Sequence, residues 1–264
     1  MEILTKLSDL TIIIPVRLDT IDRLENILAT THFLSAGLET NTWVSEYSEY
    51  NNGLLEKLLD KNIRYSFRED HDPILYRTRF INQMTMAVET PFIAVWDSDV
   101  IAPIGQIVKA LELLRNGEAD FVYPYENHFL DTSPILRRLY LAERKTEVLE
   151  QNVKKMKEMY SPNPVGGAFL ANRQAYINAG MENENFYGWG LEDGERYYRW
   201  INQGYKIKRV AGTLFHLSHG RGINSVYHNA DQQLVKRKEI IGVRRGNGPG
   251  CSQPTDETRE GEKR

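Results

Sequence analysis

The chain has 264 residues, 41% of them hydrophobic and 26% charged, which is enough apolar material for the core of one large domain. The net charge of −3 gives no basic footprint for a nucleic-acid partner. The single cysteine, Cys251, excludes an internal disulfide framework and argues against a thiolate metal site. No apolar run approaches the roughly 18 residues of a membrane span. The N-terminus lacks a basic region followed by an apolar stretch, so a cytoplasmic protein is expected.

In chain order, "LTIIIPVR" (10–17) is a β-branched apolar run stopped by Pro15 and reads as a buried strand. "DTIDRLENILATTHFL" follows with Leu24, Ile27, Leu28 and Phe33 near helical spacing. "NTWVSEY" and "IRYSFRE" predict short strands, with a helix over "GLLEKLLDK" between them. "RTRFINQMTMAVET" places Phe80, Met84 and Val88 at i, i+4 and i+8 and predicts a helix. "PFIAVWD" is the next strand, "IGQIVKALELLRNG" the next helix and "ADFVYPY" another strand. Strands alternating with helices argue for an α/β architecture with a mostly parallel central sheet flanked by helices. Ligands bind beyond the carboxyl ends of such strands. That rule puts 15–17, 67–73 and 97–99 on one edge.

The pattern changes over 133–160, which holds Leu139, Val148, Val153 and Met156 among many charges and no glycine. One or two long amphipathic helices are expected, making a helical excursion over about 131–160. "GGAFLANRQAYINAG" returns to strand and helix, and "EDGERYYRWINQGYKIKRVAGTLFHLSHGRG" predicts helix, turn, strand and loop. From Val243 the chain is rich in Gly, Pro and charge. The expected organisation is a single domain over 1–242 and a disordered tail over 243–264. Lys236, Arg237, Lys238, Arg244 and Arg245 allow at most a weak peripheral contact with an anionic membrane.

Three constellations carry chemistry. In "WDSDV", extended geometry would point Asp97 and Asp99 to one face and Ser98 to the other. Two adjacent carboxylates call for a cation, and hard oxygen donors suit Mg2+ or Mn2+; a turn or helix-capping pair is the alternative. In "FHLSHGRG", His216 and His219 sit at a strand-to-loop corner where only one is expected to reach a given site. An imidazole added to carboxylates favours Mn2+ over Mg2+. In "NFYGWGLEDGERYYRW", aromatics beside glycines suit a mobile loop with a flat stacking surface for sugar rings. Glu192 and Asp193 follow at a helix start. Asp193 there is a candidate cap and Glu192 complements the dipole. A helix N-terminus lowers a carboxylate's pKa, so a general base there needs burial to offset it.

The ordered set "PVR", "RxRFIN", "DSD", "GGAFLANRQAYINAGMENENFYGWGLEDGERYYRW" and "HLSHGRG" resembles the β-1,4-galactosyltransferase-type glycosyltransferases of the GT-A fold. It also resembles the bacterial chondroitin-synthase-type transferases. The likeness covers roughly 9–104 and 164–224. It implies a GT-A (nucleotide-diphospho-sugar transferase) fold and an inverting, metal-dependent transfer of a hexose or N-acetylhexosamine, galactose type favoured. The donor would be a UDP-sugar and the acceptor a saccharide or lipid-linked saccharide, in bacterial surface polysaccharide synthesis. By the same resemblance Pro15, Arg17, Arg77, Asp97, Ser98, Trp189 and Gly190 belong to the donor side. Asp99 and His219 are metal ligands, and His216, standing where vertebrate members have a methionine ligand, is offered as a third. Mn2+ is the expected cofactor, with Mg2+ second. Asp193 matches the general base and Glu192 its acidic neighbour. Vertebrate members read Gly-Gly-Glu-Asp-Asp where this chain reads Gly190-Leu191-Glu192-Asp193-Gly194, which leaves the two sugars open. The segment 133–160 has no counterpart. The alternatives are a metal-dependent hydrolase, since two Asp and two His suffice for one, and a non-catalytic nucleotide-sugar-binding module.

Overall fold

The computed structural model describes residues 4–126, 128–220, 222, 224 and 230–245. Its first third alternates as the periodicities predict: β1 (Thr5–Val16), α1 (Ile21–Gly37), β2 (Leu38–Ser48), α2 (Leu54–Leu58), β3 (Arg64–Glu69), α3 (Arg77–Ala87) and β4 (Phe92–Trp96). Strands β1, β2, β3 and β4 pair in parallel. Pro15 does not end β1. It lies past the last β1–β4 pair, Ile13 with Val95, where only β2 still flanks the strand, and a residue without an N–H is tolerated there.

After β4 the order is β5 (Val100–Ile101), α4 (Ile104–Arg115), β6 (Phe121–Tyr123), β7 (His128–Asp131), α5 (Pro134–Glu143), α6 (Thr146–Glu150) and β8 (Lys157–Glu158). Then come β9 (Ala168–Asn172), α7 (Arg173–Asn178), α8 (Glu192–Asn202), β10 (Ile207–Arg209), β11 (Thr213–His216) and α9 (Ala230–Arg244). The central sheet runs β10-β6-β9-β4-β1-β2-β3, and a second sheet runs β5-β11-β7-β8. Strand β9 enters antiparallel to both β4 and β6, so the sheet is mostly parallel with one reversed strand.

The core wraps the central strands. Ile12, Ile13 and Ile14 are buried on both faces of β1, as expected of a strand covered by helices on each side. On the other half, Trp200 of α8 stacks on Phe121 of β6 with ring centroids 3.7 Å apart. That contact fixes α8 against the sheet and sets where its first turn emerges.

Two expectations are corrected. The segment 133–160 holds no long helix. Ser133 caps α5 by accepting from Leu136 N at 3.2 Å, and Pro134 begins the helix, a favourable start. Arg144 then takes a left-handed conformation (φ 55°) and stops α5. No glycine marks that stop, so the sequence carries no sign of it. A short helix, a turn of 3-10 helix and β8 complete the excursion. The expected tail boundary also moves. Helix α9 runs to Arg244 and buries Val243, while 246–264 lie outside the described residues.

Candidate active site

The site begins where β4 ends. Trp96 is fully buried, and its indole Nε1 donates to Val100 O at 3.1 Å, while Asp97 N donates to Gly167 O at 2.8 Å. These bonds bend Asp97-Ser98-Asp99 into a turn. The strand alternation expected from the sequence does not apply, and Ser98 lines the same cleft as both aspartates. The turn separates the two carboxylates by partner. Asp97 Oδ1 pairs with Arg77 Nη2 from the start of α3, and Asp99 Oδ2 faces the two histidines. Burial raises the Asp97 pKa, with Asp99 and Asp193 adding to it against the pull of Arg77. Burial also opposes ionisation of Asp99, yet His216, His219 and Arg23 outweigh it and hold that carboxyl well below the usual range.

Both histidines reach Asp99, where the strand-to-loop corner by itself left room for only one and the resemblance offered both. Strand β11 pairs His216 with Val100 of β5 on one side and with Asp131 of β7 on the other. The chain then turns, with Leu217 N donating to Asp99 O at 2.8 Å. His219 Nε2 stands 3.2 Å and His216 Nε2 3.8 Å from Asp99 Oδ2, and the three ligand atoms lie within 4.8 Å of one another. His219 Nδ1 contacts Gly220 O at 2.8 Å. A carbonyl only accepts, so Nδ1 is the donor in that contact, and Nε2 is the ring nitrogen turned toward Asp99. His216 Nδ1 meets Asp131 Oδ1 at 2.8 Å, the kind of contact that orients a metal-binding imidazole. The His216 pKa is raised, because Asp99, Asp131 and Asp97 overcome the opposing effect of burial. One carboxylate and two imidazoles aimed at one point are a fit for a divalent cation.

Helix α8 supplies the opposite wall. Its N-cap is Leu191, held at φ 73° with no side-chain cap, so Asp193 is not the cap the sequence suggested. Glu192 and Asp193 occupy the first turn. Gly188 (φ 70°) and Gly190 (φ 104°) precede them, so the loop carrying Trp189 depends on left-handed backbone that glycine supplies without strain. Asp193 Oδ1 accepts from Arg196 Nη2 at 2.7 Å. Arg196 is itself buried against Glu182, with Nη1 2.9 and 3.0 Å from the two carboxylate oxygens. A Cβ at Gly166 would come within 2.8 Å of Asp193 Oδ2; glycine there leaves that oxygen its place. Glu192 is buried, its Oε2 has no hydrogen-bond partner, and burial followed by the Asp193 charge pushes its pKa up to about 7. Here burial does offset the helix terminus.

A cleft of about 160 Å3 joins these walls. It is lined by Pro15, Arg17, Arg77, Asp97, Ser98, Asp99, Trp189, Glu192, Asp193, His216 and His219. Of the site residues named from the sequence, only Gly190, next to Trp189 in the chain, does not line it. Arg77 is partly buried, and its Nη1 has no hydrogen-bond partner. Arg17 is already engaged. Its Nε donates to Tyr47 O at 2.9 Å, and its Nη atoms reach Asp72 O and Asp70 Oδ2, each at 2.5 Å. It therefore ties the loop after β3 to β1 rather than presenting a vacant donor. Lys236, offered from the sequence to an anionic membrane, is instead buried in α9 and donates to Trp189 O at 2.7 Å. Four lining or supporting residues escaped the sequence reading: Arg23, Asn224, Tyr160 and Asp131. None of these stands in a motif; only the Gly166-Gly167 pair was visible as a signal.

Among known proteins, a family described as "N-terminal domain of galactosyltransferase" matches residues 146–227, under a third of the chain. No curated protein sequence matches. The catalytic domain of Drosophila β1,4-galactosyltransferase 7, solved with xylobiose, is 18% identical with a TM-score of 0.50, covering 89% of this chain and 81% of its own. Glucosyl-3-phosphoglycerate synthase from Mycobacterium tuberculosis, solved with Mn2+, UDP and glucosyl-3-phosphoglycerate, is 14% identical with a TM-score of 0.50, covering 94% and 81%. Among the described residues no helix is long and apolar enough to cross a membrane. The chain has a GT-A-type α/β fold, distantly similar in architecture to both of these proteins, with a candidate metal cluster at the carboxyl edge of its sheet.

Proposed function

We propose that the chain transfers a hexose or N-acetylhexosamine, galactose type first, from a UDP-sugar to a saccharide or lipid-linked saccharide, inverting the anomeric carbon. One observation carries this reading: Asp99, His216 and His219 converge on one wall of a cleft whose other wall presents Asp193, Glu192 and Trp189. A hydrolytic site needs no such second wall. The similar proteins add support, one being a galactosyltransferase and the other having been solved with Mn2+ and UDP.

Asp99, His216 and His219 would hold the cation, Mn2+ first and Mg2+ second, and a cation there supplies Lewis-acid neutralisation of the leaving diphosphate. Arg77 adds a charge-assisted donor from its unpartnered Nη1. Asp97 holds Arg77 in place and, with Ser98 and Pro15, shapes the donor side. Asp193 accepts the proton of the acceptor hydroxyl as that oxygen bonds to the anomeric carbon from the face opposite UDP. The bond from the anomeric carbon to UDP oxygen breaks, and UDP leaves with the electron pair, through an oxocarbenium-like transition state. Arg196 keeps the Asp193 carboxylate aimed. Trp189 covers the sugar and excludes water, which would otherwise compete as acceptor.

The donor set itself supports a second reading. Two imidazoles and a carboxylate with open positions also suit a catalytic zinc, as in a metal-dependent hydrolase. Thermal-shift titrations of UDP-sugars with Mn2+, Mg2+ and Zn2+ separate the two. Stabilisation by UDP only when Mn2+ or Mg2+ is present is expected. Zn2+ binding with ester cleavage and no response to UDP would replace the transferase with the hydrolase.

A further inference from the structure

The end of β7 and the start of the excursion after it are bonded to the histidine corner at three places. Asp131 Oδ1 holds His216 Nδ1 at 2.8 Å. Thr132 N donates to His216 O at 3.0 Å, and Thr132 Oγ1 accepts from Ser218 N at 2.9 Å. The third link runs through α1. Asn26 Nδ2 donates to Leu217 O at 2.7 Å, and Arg137 Nε of α5 donates to Asn26 Oδ1 at 2.8 Å. Asn26 is fully buried and Arg137 nearly so. Arg137 Nη2 also reaches Glu25 Oε2 at 2.7 Å and Asp22 O at 3.1 Å.

The consequence is geometric. Residues 217–219 form no strand of their own, and their backbone is fixed by only a few bonds: Leu217 N to Asp99 O, Leu217 O to Asn26, and Ser218 N to Thr132. Asn26 has a single orientation in which its amide nitrogen faces Leu217 O, and Arg137 enforces it by requiring the amide oxygen on its own side. A reversed amide would set oxygen against oxygen in a buried site, where an unmade bond is costly. We propose that Arg137 and Asn26 are positioning residues for the metal-binding corner. Through them the 131–137 segment holds His219 where its Nε2 meets Asp99 and His216. This rests on the metal reading of that cluster.

The test measures Mn2+ binding directly, from the electron paramagnetic resonance signal of free Mn2+, on the full chain. Arg137→Lys keeps the positive charge beside Glu25 and loses the Nε bond to Asn26 Oδ1. Asn26→Asp keeps the acceptor for Arg137 and replaces the donor to Leu217 O with a carboxylate oxygen. Each is expected to weaken Mn2+ binding about 10- to 100-fold, the usual cost of removing an outer partner of a ligand. Excess Mn2+ should restore the affinity of both variants for UDP. Exposed Arg138→Ala and the core variant Leu111→Ala should keep wild-type Mn2+ affinity, Leu111→Ala doing so despite a lower Tm. Mn2+ affinities of Arg137→Lys and Asn26→Asp within two-fold of wild type, with wild-type binding intact, would overturn this proposal alone. A wild-type chain that binds Mn2+ no better than Asp99→Asn would overturn the metal reading together with it.

Discussion

Glu192→Gln offers a quantitative check of how the cleft is built. Glu192 is buried, its Oε2 has no partner, and burial with the neighbouring Asp193 charge moves its pKa from the ordinary 4.5 to about 7. Below pH 4.5 the group is protonated in both folded and unfolded chains and contributes nothing to the pH dependence. Between 4.5 and 7 the unfolded chain releases the proton while the folded chain keeps it, so folding stability falls as pH rises. Above 7 the full cost is present. A shift of this size corresponds to at most roughly 3 kcal/mol. Glutamine keeps the shape and removes the charge. The variant should match wild type near pH 4.5 and be more stable at pH 8 by up to that amount. For a domain of this size each kcal/mol moves Tm by about 2–4 °C. Urea unfolding of both proteins across pH 5 to 8 reads the difference directly. A stability difference that stays flat with pH, or grows toward acid, would refute the argument that Glu192 is held protonated near neutrality.

Asp193→Asn should lower turnover about 10²- to 10⁴-fold with UDP binding retained, measured by UDP release with acceptor present; full activity would remove Asp193 as the base. Gly166→Ala would drive a methyl into Asp193 Oδ2, 2.8 Å away, so it should reduce turnover well beyond any change in Tm. Lys236→Met removes the bond to Trp189 O. Its expected mark is a larger share of donor hydrolysis relative to transfer, read as UDP released without and with acceptor. Trp200→Ala deletes the ring stacked on Phe121 and should cost roughly 3–5 kcal/mol; a urea midpoint unchanged from wild type would show that α8 is not anchored there.

Much of the site was legible because its parts lie at the ends of strongly patterned elements. The apolar run into Asp97 and Asp99, and the amphipathic helix behind Glu192 and Asp193, announce where a buried strand stops and where a helix starts. What was not legible depends on partners distant in sequence. Asp131 looks like any polar residue until β7 pairs with β11 and sets it beside His216. Arg17 reads as a vacant cation until the loop after β3 folds onto it. The reversal at Arg144 leaves no mark because a left-handed residue without glycine is held by its surroundings, not by its own preference.

Hydrophobic period and composition by themselves determine the α/β class and the carboxyl edge as the place for a ligand; Pro15, Arg17, Arg77 and Ser98 came to the cleft through the family resemblance. The class and the edge follow from local rules, because burial on two faces demands apolar runs and helix starts demand particular residue types. The tertiary structure brought both histidines to Asp99, and it alone decided that the two aspartates divide between Arg77 and the imidazoles. It also set Glu192 near neutrality. Each of these is settled by what burial and a distant neighbour do to a group, and neither is written at the group's own position in the chain.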